Sequence, residues 1–118
     1  MNKWILSACC LALAATPVAA ADVRLDSYRN PASESFRNFN RLYLDGARAG
    51  LISYNLLIKR RGGQPLFCLP DLGMTTEQTE EIMLKAADKR AAKGDMLIAP
   101  LLLLGLQDTY PCEKAGGQ

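Results

Sequence analysis

The sequence predicts an all-α protein: a small helical bundle of three to four helices stapled by one disulfide. Three observations lead there. Apolar residues recur at three- and four-residue steps through most of the chain. Helix-start and helix-stop residues bound those stretches. Two cysteines, Cys68 and Cys112, remain once an N-terminal export segment is set aside. No alternating strand pattern competes and no repeat is visible. A single domain is expected over residues 21–118, with its core over about 31–113.

The first twenty residues read as a cleavable signal peptide. Lys3 precedes an apolar run from Trp4 to about Ala15, Thr16-Pro17 breaks it, and Val18 and Ala20 suit a signal-peptidase cut. The run is about a dozen residues, whereas spanning a bilayer takes roughly 20, so no stable membrane insertion is expected after cleavage. Leu6-Ser7-Ala8-Cys9 has the composition of a lipid-attachment site, but the apolar run continues past it. Cleavage after Ala20 leaves 98 of the 118 residues and predicts a periplasmic location.

Residues 22–32 are polar and form a lead-in, extended or briefly helical, with Asn30-Pro31 reading as a helix cap and first helical position. From Ser33 to Lys59 the spacing predicts a long helix through Phe36, Phe39, Tyr43, Ala47, Gly50, Leu51, Tyr54 and Ile58. Gly46 and Gly50 lie one turn apart. Each costs about 1 kcal/mol against alanine in a helix interior, which points to close approach of another helix there or else to a break into two shorter helices. The helix then ends in a turn. Lys59, Arg60 and Arg61 complement the negative end of its dipole, and Gly62 suits a left-handed cap.

The next helix opens on a capping box, Thr75 with Gln78, and is expected to run from Thr76 to Lys93, where Gly94 stops it. Glu77, Glu80 and Glu81 sit early, with Lys85, Lys89, Arg90 and Lys93 late, as the macrodipole favours. Ile82, Met83, Ala86 and Ala87 supply a narrow apolar stripe. In the last helix Pro100 fits the first turn with Ala99 just outside it. Leu101–Leu106 is apolar on all sides apart from Gly105, as in a central helix, and Pro111 ends it. The tail after Cys112 is expected to fray.

The chain has no histidine, so neither a Ser-His-Asp nor a Cys-His arrangement is available. Two thiolates alone make no zinc site. Two cysteines in an exported chain point to a disulfide. No phosphate-binding loop follows a strand, and adjacent Glu80 and Glu81 point about 100° apart on a helix, a poor acid/base pair. These readings point to a binding protein without cofactor or metal, and away from an enzyme. After loss of Lys3, 13 cations face 12 carboxylates, so neither nucleic acid nor another polyanion is expected as partner.

Three motifs then fall in order: "YLDG" (Tyr43–Gly46), "FCLP" (Phe67–Pro70) ahead of the capped "MTTEQ", and "YPC" (Tyr110–Cys112). In that order the chain resembles the Rap/Tai family of type VI secretion immunity proteins over roughly residues 36–113. The resemblance implies a periplasmic helical protein that binds a peptidoglycan amidase effector and blocks its active-site cleft, with homodimers among the family's members. Asn40-Arg41-Leu42 stands where many members carry part of a second cysteine pair, so that bond is absent here. The candidate contact is the loop of Lys59, Arg60, Arg61, Gly62, Gly63 and Gln64, which also reads as an ordinary helix end. Two other readings fit the same features: a small acid-stress chaperone of the Hde type, and an envelope protein with no toxin partner.

Overall fold

The computed structural model describes residues 22–70 and 73–113, so the predicted signal peptide and the C-terminal tail lie outside it. Four helices follow in order: α1 (Leu25–Arg29), α2 (Glu34–Arg60), α3 (Thr76–Lys89) and α4 (Ile98–Thr109). Among the described residues the only β-type pairing is an isolated antiparallel bridge between Arg24 and Leu97. The fold is all-α, as the spacing predicts.

The core begins earlier than residue 31. Val23, Leu25 and Tyr28 are buried. They are held there by main-chain bonds to the segment before α4: Leu25 N–H donates to Met96 O at 2.8 Å, Asp26 N–H to Gly94 O at 2.9 Å, and Ile98 N–H to Val23 O at 3.0 Å. The lead-in is therefore a structural edge that satisfies backbone groups on both segments.

Asn30-Pro31 does not open α2. Asn30 ends α1, its N–H donating to Asp26 O, and Ser33 is the cap instead. Ser33 has an extended backbone and its hydroxyl accepts from Phe36 N–H at 3.3 Å, which fills one orphan donor of the first turn. At the far end α2 closes as predicted. Gly62 sits at φ 77°, Gly63 N–H donates to Ile58 O at 3.0 Å, and Gly62 N–H donates to Lys59 O at 3.1 Å. These two bonds make a Schellman cap.

The capping box of α3 is present in both directions, Gln78 N–H to Thr75 Oγ1 at 3.2 Å and Thr75 N–H to Gln78 Oε1 at 2.9 Å. The helix stops at Lys89, not Lys93. Ala91 takes the left-handed region at φ 46° and Ala92 N–H returns to Ala87 O at 2.9 Å. Gly94 has a different role from the one expected: a Cβ there would lie 2.9 Å from Asp26 Cβ. Its bare backbone lets the linker press against α1.

In α4, Pro100 is inside the first turn as expected, but Ala99 is also helical, because the helix opens at Ile98. Leu101, Leu102 and Leu106 are fully buried, in one core with Leu25, Leu44, Phe67, Met83 and Ile98. Helices α3 and α4 form the tightest pair. A Cβ at Gly105 would fall 2.6 Å from Ile82 O and 2.8 Å from Ile82 Cγ2, so the two backbones touch there.

Gly46 and Gly50 show the opposite. Nothing lies within 4 Å of a Cβ built at either position. The helix approach predicted for them does not occur among the described residues; the side of α2 that packs inward is the one bearing Asn40 and Leu44.

The disulfide joins Cys68 to Cys112, 44 positions apart, with the Cα atoms 4.9 Å from each other. It ties the segment between α2 and α3 to the end of α4, and Cys68 N–H donates to Tyr110 O at 2.8 Å beside it. Asn55 secures the same segment from α2: its Oδ1 accepts from Leu66 N–H at 2.6 Å and its Nδ2 donates to Phe67 O at 2.7 Å.

Candidate protein-binding site

The turn of Lys59, Arg60, Arg61, Gly62, Gly63 and Gln64 is exposed at every position. Its shape is fixed from beneath. The Schellman cap sets the backbone, and a side chain at Gly63 would meet Ile58 Cγ2 at 2.8 Å. Pro65 follows, its carbonyl oxygen 3.8 Å from the sulfur of Cys112. Asn55 holds the next two residues. A short cationic knuckle thus stands on a cross-linked base.

Among the described residues none of Lys59, Arg60 or Arg61 forms an ion pair, in contrast with Arg29, Arg37, Arg41, Arg48, Lys89 and Arg90. Three cations at the end of a long helix are stabilised by its dipole. Their donors stay free for carboxylate or carbonyl oxygens on a partner, and arginine can make such contacts in bidentate form.

A second feature, a cleft of about 760 Å³ between α1, α2 and α3, escapes sequence reasoning. Tyr28, Asn40, Arg41, Glu77 and Glu80 contribute to its wall. Arg41 donates to Glu77 Oε1 at 2.7 Å, and its Nε stands 3.6 Å from Glu80 Oε2. Glu77 titrates below the ordinary carboxylate range because a backbone N–H at the start of α3 and then Arg41 favour its anion. Tyr28 titrates above the ordinary phenol range, chiefly through burial and then through the neighbouring Glu80 charge. Its hydroxyl is buried without a hydrogen-bond partner among the described residues. No single stretch of sequence carries this cleft, since its walls come from three elements.

Among the described residues no group of three His, Cys, Asp or Glu is placed to hold a metal ion. Nor is any described helix long and apolar enough to cross a membrane. No family model, curated protein or solved structure matches the chain.

Proposed function

We infer that this chain is a periplasmic immunity-type binding protein that neutralises a secreted peptidoglycan amidase by occluding its active-site cleft. The observation that carries the reading is the rigid, exposed Lys59–Gln64 turn, whose three cations form no ion pair among the described residues. The motif order of the sequence supplies the class of target. The disulfide supports an oxidising location, since such bonds persist in exported proteins.

Occlusion needs shape and stiffness, not catalysis. A turn already locked by its helix cap, Asn55 and the Cys68–Cys112 bond has little conformational freedom left to lose on binding. Its guanidinium groups would meet acceptor oxygens lining the rim of the enzyme's cleft.

The test pairs the purified chain with amidase effectors from related bacteria. Binding and loss of amidase activity are the expected result, with Arg60→Glu combined with Arg61→Glu weakening both at least about tenfold. Inhibition that the double substitution leaves untouched removes the turn from the interface. If no amidase is bound or inhibited, the immunity reading fails.

A further inference from the structure

The cleft between α1, α2 and α3 has two unlike walls. Its α2 side presents Arg37, Asn40 and Arg41 and no carboxylate. Its α3 side presents Glu77, Glu80, Glu81 and Asp88 around Leu84, with Lys85 at the outer edge. Two of those acids are engaged: Glu77 accepts from Arg41 at 2.7 Å, and Asp88 accepts from Arg29 at 2.7 Å. Glu81 forms no ion pair among the described residues, and Glu80 has only a 3.6 Å approach to Arg41.

The floor carries hydrogen-bonding groups that the chain leaves unmatched. Tyr28, 7% exposed, reaches it from α1. Its hydroxyl and Arg41 Nε are both buried, and neither has a hydrogen-bond partner among the described residues. Glu80 stands beside both and bonds to neither, its Oε2 lying 3.6 Å from Nε. Burial and the Glu80 charge push the phenol's titration up, so at neutral pH it keeps its proton and is a donor. Two buried donors without an acceptor are costly, and one carboxylate has acceptor sites enough for both. The Arg41–Glu77 pair above them is exposed and contributes little, so the guanidinium can shift to admit a guest.

We propose that this cleft binds a free α-amino acid, its carboxylate accepting from Arg41 and the Tyr28 hydroxyl and its ammonium paired with Glu80. A carboxylate alone would stand against the Glu80 charge, and an ammonium alone against Arg41. A zwitterion answers both walls at once. Carboxylate on guanidinium is a charge-assisted hydrogen bond, among the strongest contacts a small ligand can make. The space of about 760 Å³ is of the size that small-molecule sites have, and it leaves room for the ligand's side chain along Leu84. Arg37 and Arg41 lie in the first half of α2, at the opposite end from the Lys59–Gln64 turn, and the site is independent of the immunity reading.

Titration of the purified chain with the common L-amino acids, each added singly and followed by calorimetry and by NMR shifts, tests the proposal. At least one should bind with a Kd of about 1 mM or tighter. The amide of that amino acid lacks the carboxylate and its N-acetyl form lacks the ammonium, so each should bind at least about tenfold more weakly. Tyr28→Phe and Glu80→Gln should each weaken binding about tenfold while helical circular dichroism is unchanged, because phenylalanine fills the same space and Glu80 is partly in solvent. No binding by any amino acid, equal binding of the amide or N-acetyl form, or binding that both substitutions leave unchanged would each overturn the proposal.

Discussion

Gly105 in α4 and the Gly46–Gly50 pair in α2 put the same residue into opposite surroundings. Around Gly105 the chain is so close that a methyl group would strike the carbonyl of Ile82. Around Gly46 and Gly50 the described residues leave open space. The contrast extends to the helices. In α4 the buried residues are Ile98, Leu101, Leu102, Gly105 and Leu106; in α2, more than twice as long, they are Asn40 and Leu44 alone. One helix is the centre of the bundle, and the other is a beam with one side packed and one side bare. Glycine permits close packing in the first, and in the second it sits where a side chain would meet nothing among the described residues.

The largest perturbation is removal of the bond that ties the segment after α2 to the end of α4. Cys68→Ser with Cys112→Ser should lower stability by about 4 kcal/mol, on the chain-entropy estimate for a loop of this length. Denaturant titration of the two chains, both under oxidising conditions, measures it. A loss below about 1 kcal/mol would mean that α4 and the Asn55 clamp already hold the segment without the cross-link.

Next comes Gly105→Ala, which should cost about 2 kcal/mol, because the atom it meets is backbone and cannot rotate aside. Gly46→Ala should go the other way. It should gain up to about 1 kcal/mol, the helix-propensity difference with no clash to offset it. Thermal or denaturant unfolding of the pair checks both signs in one experiment, and equal effects at the two sites would abolish the contrast.

The smallest effect concerns pH. Asp108 on α4 accepts from Arg90 at 2.7 Å and pairs with Lys89 at 3.3 Å, so it lies beneath both cations at the end of α3. Arg90, and to a lesser degree Lys89, hold its carboxyl below the ordinary carboxylate range. A depressed folded-state pKa contributes stability above the unfolded value of about 4 and loses it as pH falls through the folded value. Melting temperatures should therefore drop as the medium is acidified below about pH 4, and Asp108→Asn should make that drop shallower. An unchanged acid limb would mean that this pair contributes nothing to the α3–α4 contact.

Features that depend on three or four neighbouring residues were legible in the sequence. Thr75 and Gln78 cap each other within one turn, and Gly62 and Gly63 end α2 through bonds to Lys59 and Ile58 respectively. Features set by distant residues were not. The stop of α3 at Lys89 accompanies the contact of Gly94 with Asp26, far away in the chain. The surroundings of Gly46 and Gly50 depend on the path of the other helices, which a helical period does not contain. The Cys68–Cys112 bond is legible because only two cysteines remain beyond the predicted leader. The exposed turn at Lys59–Gln64 is legible from its charge and its glycines. The cleft beside Tyr28 has no signature in the sequence, because Tyr28, Arg41 and Glu80 come from three different helices.

The docking of residues 23–26 onto 94–98 also governs the order in which the molecule can be completed. Arg24 Nη1 reaches the carbonyl of Asp95 across 71 positions, and Val23 and Leu25 find shelter only once that distant stretch has arrived. A chain emerging N-terminus first exposes these residues first and must place them near the last. Folding is thereby deferred until nearly the whole polypeptide is present. A version trimmed to start at Pro31 would lose the strap that fastens the α3–α4 junction.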